Sequence, residues 1–88
     1  MDEYREQISI IDQQLITLLE ERVDISKKIG DYKCKHKLSI FEPDIETNII
    51  ERFQASSSLS NSHIRTFFKG VFEISCHVQQ LDRLESRS

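Results

Sequence analysis

Residues 2–36, DEYREQISIIDQQLITLLEERVDISKKIGDYKCKH, decide the fold of this chain. The stretch contains no proline, and its last turn is basic, which suits the negative end of a helix dipole. Its apolar residues recur at helical spacing at Ile8, Ile11, Leu15, Leu18, Leu19, Ile25 and Ile29. With Asp2 as the expected N-cap, these features predict one helix over about residues 2–36.

The rest of the chain also favours helices. Its 88 residues include only two Gly and one Pro, which leaves few residues for hairpin turns. A second helix is predicted over about 43–55, with Pro43 in its first turn, and a third over about 62–84, after a polar linker. We therefore predict an all-α fold of three helices, forming a single domain over residues 1–88.

The first helix is too long for the remaining chain to cover. At 1.5 Å per residue it extends for about 50 Å, whereas a compact chain of this length has a diameter of about 30 Å. Because the apolar stripe continues along most of the helix, a second copy of the chain is expected to cover the overhang. We predict an intertwined homodimer with paired first helices.

Composition excludes several classes of function. The net charge of −3 gives no general attraction to nucleic acid or to anionic lipid. No apolar run approaches the length of a membrane span, so a cytoplasmic protein is expected. Cys34 and Cys76 are expected to be reduced thiols. Cys76 and His77 point about 100° apart on a helix, so no metal site is predicted.

Several polar side chains fall on the predicted inner faces of the helices. Arg22 and Lys33 are only about 20° out of line on the first helix. Glu46, Ser75 and Gln79 lie in line with apolar residues of the other two helices. Each residue alone is most often a satisfied core group or a long side chain that reaches water. Together they predict a cavity that binds a small, doubly anionic, hydroxylated molecule.

Arg5 is a further candidate for binding an anion. An arginine in the first turn of a helix opposes the dipole and favours an anionic partner. It lies about 25 Å from Arg22 along the helix axis, so it cannot serve the same pocket within one chain. Across an antiparallel dimer it can; the alternative is a solvated surface arginine.

The sequence resembles a known family, the all-helical chorismate mutases. The likeness extends over YREQISIIDQQLITLLEERVDISKKIGDYK (residues 4–33), SIFEPDIETNIIERF (residues 39–53) and EISCHVQQ (residues 73–80). Its most specific part is the first segment, where an arginine, I-x-x-I-D, L-L-x-x-R and I-G-x-x-K follow in the family's order and spacing.

The resemblance implies an activity that needs no cofactor and no covalent intermediate. Each active site would bind chorismate and promote its Claisen rearrangement to prephenate, in the shikimate pathway of aromatic amino acid biosynthesis. Arg22, and Arg5 from the partner chain, would hold carboxylates of the substrate. Lys33 and Gln79 would hydrogen-bond the ether oxygen whose bond breaks, so that Lys33, Gln79 and Arg22 are the expected catalytic residues.

The same resemblance implies that the remaining candidates bind substrate. Glu46 would accept a hydrogen bond from the ring hydroxyl, and Ser75 would lie beside a carboxylate. Glu42 stands where the family has an aspartate, and the change is mild if only the backbone of this residue contacts the ligand.

Residues 39–46 depart from the family pattern. The family has P-I-x-D-P-x-R-E, whereas this chain reads S-I-F-E-P-D-I-E. Ile45 thus stands where an arginine would help to anchor the substrate, and a charged hydrogen bond of this kind contributes about 1.5–3 kcal/mol.

Three functions remain open on the sequence. The first is a chorismate mutase, weakened by Ile45. The second is a relative with another substrate, either an isochorismate-pyruvate lyase or an aminochorismate-type mutase. The third is a non-catalytic binding or regulatory homologue, although a site without a ligand has no need of buried charges.

Overall fold

The computed structural model of the chain describes residues 1–86, with side chains described as far as Leu81. The elements are α1 (Asp2–Lys35), α2 (Pro43–Ser56) and α3 (Asn61–Ser86). These residues contain no strand, which confirms the predicted all-α, three-helix class. The predicted domain, residues 1–88, ends outside the described residues.

The helix ends follow from local hydrogen bonding. Met1, and not Asp2 as predicted, is the N-cap of α1, and Asp2 instead adds negative charge to the first turn. α1 ends in a Schellman motif, in which Lys37 adopts a positive φ of 56°. The N–H of Leu38 then donates to the carbonyl of Lys33 at 2.8 Å. At the start of α3, the Ser60 hydroxyl accepts from the N–H of His63 at 3.1 Å.

α3 is the central helix of the chain. It packs against both α1 and α2, whereas α1 and α2 lie apart. The buried apolar core consists of three α3 residues, Ile64, Val71 and Phe72. Phe68 stacks on both Phe53 and Phe72, with ring centroids 5.3 and 5.4 Å apart. The core is therefore small and lies on two faces of one helix.

Small residues form the crossing of α1 and α3. Ser26 and Gly30 are buried there, and the hydroxyls of Ser26 and Ser75 are hydrogen-bonded at 2.9 Å. A Cβ atom added at Gly30 would lie 3.0 Å from the Cα of Gln79. The glycine is thus required by a close approach of the two backbones.

The apolar stripe of α1 is exposed in the single chain. Leu18 is 60% exposed and Ile25 is 56% exposed, because α1 meets α3 through the face that carries Ser26 and Gly30. On α3, the apolar residues Phe67, Ile74 and Leu81 are also exposed. The molecule extends for 51 Å with a radius of gyration of 15.9 Å, against about 12 Å for a compact chain of this length. In the described part of the chain, no helix is both long and apolar enough to cross a membrane.

The close crossing predicts opposite effects of alanine at the two glycines of the chain. Gly30→Ala should lower the free energy of unfolding by about 1–2 kcal/mol, because the added methyl group overpacks the contact with Gln79. Gly70→Ala is the matched control, since a Cβ there meets nothing within 4 Å, and it should stabilise α3 by up to about 1 kcal/mol. Thermal unfolding followed by circular dichroism measures both changes. Equal stabilisation by the two substitutions would contradict the close crossing.

Candidate active site

Lys33 lies between the end of α1, the start of α2 and the middle of α3. It lies in the last turn of α1 and is only 6% exposed. Its ammonium donates to the Ile40 carbonyl at 2.8 Å and to the Gln79 Oε1 at 3.1 Å. It also forms an ion pair with the Glu42 Oε1 at 2.6 Å. A lysine ammonium has three N–H donors, and three acceptors surround this one.

A cleft of about 160 Å³ opens beside this ammonium, between the end of α1, the start of α2 and the middle of α3. It brings together all of the predicted site residues except Arg5. These residues are Arg22, Lys33, Glu42, Glu46, Ser75 and Gln79. Arg5 does not line the cleft, and it is exposed in the first turns of α1.

A buried chain of hydrogen bonds fixes the side chains from α3. The Nε2 of Gln79 donates to the Ser75 hydroxyl at 3.3 Å, and this hydroxyl bonds that of Ser26. The amide of Gln79 therefore directs its oxygen toward Lys33. Ser26 was not identified from the sequence; the only signal was its position one turn before Gly30 on the same face of α1.

Arg22 is a half-buried cation without a carboxylate partner. Its guanidinium carbon lies 5.9 Å from the centre of the Phe72 ring, in the range of a cation–π contact. Within the described side chains it forms no ion pair. Because it lines the cleft at the same time, its N–H groups are available to an anionic ligand.

Glu46 meets a residue that sequence reasoning did not assign to the site. The Cys76 sulfur lies 3.9 Å from the Glu46 Oε2. Burial, followed by the negative charge of Glu46, raises the pKa of the Cys76 thiol, although Lys33 acts in the opposite direction. The thiol thus stays protonated at neutral pH and donates to the carboxylate. A lone cysteine on a helix gives no sequence signal for such a role.

Ile45 lies in the cleft as part of an apolar wall that includes Ile29 and Ile49. Two cations, Arg22 and Lys33, and two carboxylates, Glu42 and Glu46, line this space. The single chain therefore gives the cleft no excess of positive charge.

Comparisons with known proteins identify the family of the chain. The family model described as chorismate mutase type II matches residues 4–80. The bifunctional chorismate mutase/prephenate dehydratase of Aquifex aeolicus (strain VF5) is 38% identical over 52 residues, which cover 59% of this chain and 14% of that protein. The chain thus matches a small part of this relative's length. No solved structure matches the chain. Because this family model matches most of the chain, the chain belongs to the chorismate mutase type II family.

Proposed function

We propose that the chain is a chorismate mutase, an isomerase that accelerates the Claisen rearrangement of chorismate to prephenate. One observation carries this proposal. The buried ammonium of Lys33 lies beside the Gln79 amide in a cleft that also contains Arg22 and Glu46. A biosynthetic role in the aromatic amino acid pathway also agrees with the expected cytoplasmic location.

The reaction requires positioning and electrostatics rather than a nucleophile. Within one molecule, the ether C–O bond breaks while a C–C bond forms, and no proton or group passes to the protein. The flexible substrate must be held in a compact, chair-like shape, with positive charge where the ether oxygen gains negative charge. The Lys33 ammonium is already held in place by Ile40 and Gln79, so little reorganisation is needed when that charge develops.

The other side chains are assigned to the fixed groups of the substrate. Arg22 binds a carboxylate, for which its unpaired guanidinium is available. Glu46 accepts from the ring hydroxyl, and the Cys76 thiol restrains this carboxylate. Ser75 lies beside a carboxylate of the substrate, to which its hydroxyl can be reoriented. The backbone at Glu42 contacts the ligand at the start of α2.

An intertwined homodimer is part of this proposal, and the exposed area of the chain supports it. The chain exposes 7179 Å², whereas a monomeric protein of 10.4 kDa exposes about 5,400 Å². The excess of about 1,800 Å² is in the range that one subunit buries in an obligate homodimer. An apolar cavity of about 460 Å³ separates α1 from α2 and is lined by residues such as Leu15, Leu18, Ile49 and Phe53. We infer that the α1 helix of a second copy fills it.

The charge of the cleft supports a role for Arg5 in the second copy. A dianion requires more positive charge than Arg22 and Lys33 supply against two carboxylates. Because the Arg5 side chain lies in the exposed first turns of α1, it is free to enter the cleft of the partner chain. Each cleft would then have one additional cation.

Ile45 favours a second candidate function. Its apolar side chain stands in the cleft. An isoleucine in place of the family's anchoring arginine is a change that would alter the substrate preference. The alternatives are an isochorismate-pyruvate lyase or an aminochorismate-type mutase, or a homologue that binds chorismate without turning it over.

Substitution of Lys33 tests the chemical step. The wild-type protein should accelerate the loss of the ultraviolet absorbance of chorismate, and Lys33→Ala should lower kcat about 100-fold or more with a much smaller change in KM. Lys35→Ala is the control, because Lys35 lies in the same turn but is exposed and paired with Asp31. Circular dichroism checks that each variant is folded. A wild-type protein without activity would contradict the proposed function, and a KM effect larger than the kcat effect would contradict the role of Lys33.

Mixing of two inactive variants tests the role of Arg5 across the dimer. Arg5→Ala and Lys33→Ala should each be inactive alone. The two variants are then mixed in equal amounts and allowed to exchange subunits. About a quarter of the wild-type activity should return, because about half of the dimers are heterodimers and each of these has one intact site of two. If activity does not return although mass spectrometry detects heterodimers, Arg5 does not act in the partner's site.

An arginine introduced at position 45 tests the effect of Ile45. Ile45→Arg should raise kcat/KM for chorismate by about tenfold or more if the isoleucine weakens an ordinary mutase. Ile45→Leu keeps an apolar side chain of the same size and should change little. No gain with chorismate, together with turnover of isochorismate or of an amino analogue by the wild type, would favour the changed-substrate candidate. Ligand-induced thermal stabilisation without any turnover would favour the non-catalytic homologue.

A further inference from the structure

The free chain leaves no donor on Lys33 for a ligand. The three N–H groups of its ammonium are matched by the Ile40 carbonyl, the Gln79 Oε1 and the Glu42 Oε1. An oxygen atom of a ligand can therefore bond this ammonium only if one of these acceptors moves away.

Two of the three acceptors are fixed by their surroundings. Gln79 is 5% exposed, and its other amide atom is bonded to Ser75. The Ile40 carbonyl belongs to the short connection that begins at the end of α1, where Leu38 is bonded back to Lys33. Neither acceptor can leave without disturbing the packing of α3 or the end of α1.

The Glu42 carboxylate is the acceptor that can leave. Its side chain is 41% exposed, and in the described part of the chain its carboxylate has no partner besides Lys33. Rotation about its side-chain torsions would place it in water at little cost, since a partly exposed ion pair contributes little net stability.

The length of the Glu42 side chain explains why it reaches Lys33. Glu42 is the N-cap residue of α2, but its side chain makes no capping hydrogen bond. A shorter aspartate is among the preferred N-cap residues, because its carboxylate can accept from the first N–H groups of the helix. The extra methylene of glutamate instead carries the carboxylate to the Lys33 ammonium, at 2.6 Å.

We propose that Glu42 is a specificity-determining residue that competes with the ligand for Lys33. Its carboxylate occupies the third N–H of the ammonium in the free protein, and it moves into water when an oxygen of the ligand takes its place. Glu42 thereby weakens the binding of anionic ligands, beyond the loss of the arginine at position 45. The inference rests on the proposed function for the identity of the ligand, but the occupation of Lys33 can be tested without it.

The kinetic test uses two variants of Glu42 in the full chain. Glu42→Asp keeps the charge and shortens the reach, whereas Glu42→Gln keeps the length and removes the charge. Both should lower KM for chorismate by about threefold to tenfold. Inhibition by prephenate should become stronger by a similar factor. Asp44→Asn is the matched control, because it removes a negative charge from the exposed first turn of the same helix. The KM of this variant should change less than about twofold.

A merely structural role for Glu42 predicts the opposite result. If the carboxylate serves to position Lys33, both variants should raise KM or lower kcat. An unchanged or raised KM in Glu42→Asp and Glu42→Gln would therefore overturn the proposal, as would an equal decrease of KM in Asp44→Asn.

A second measurement does not depend on turnover. The rate at which acetic anhydride acetylates Lys33, read by mass spectrometry against the exposed Lys37, should rise severalfold in Glu42→Asp. An unchanged rate would mean that Glu42 does not occupy the ammonium, which overturns the proposal. If neither wild type nor variants act on chorismate, the proposed function has failed, and the acetylation rate alone decides whether Glu42 competes for Lys33.

Discussion

The Lys33 ammonium is removed from water between the end of α1, the start of α2 and the middle of α3, and it needs acceptors from the protein there. A buried charge without partners is strongly destabilising. Its fixed partners are the Ile40 carbonyl in the connection after α1 and the Gln79 amide in the middle of α3. Through Lys33, these contacts join the connection between α1 and α2 to α3, although α1 and α2 do not pack together. The group that would stabilise a developing negative charge therefore also maintains the arrangement of the chain.

The close crossing of α1 and α3 makes this arrangement possible. Gly30 lies one turn before Lys33, and the missing side chain lets the Gln79 backbone approach closely enough for its amide to meet the ammonium. Ser26, one turn earlier, continues the contact by bonding Ser75. The crossing thus relies on small and polar residues, and it leaves the apolar stripe of α1 available to the second copy that we propose.

The helical class could be predicted from the sequence because the apolar period is long and only a single proline interrupts the chain. The alignment of Arg22 and Lys33 was predictable too, since their spacing brings them onto one side of a helix. The face of α1 that packs within the chain was harder to predict. Periodicity identifies the apolar stripe, but the intrachain contact passes through Ser26 and Gly30. The Lys33–Glu42 pair depends on the path of the connection between two helices, which no periodic pattern encodes.

We propose that each site is completed by a second copy of the chain, and the mass of the protein in solution tests this most directly. Sedimentation equilibrium of the wild-type protein at micromolar concentration should give twice the mass of one chain, because a second copy would cover the exposed apolar stripe of α1. A folded monomer over the same concentrations, with the helical content of the three helices retained, would contradict both the intertwined arrangement and the role of Arg5 in the partner's cleft.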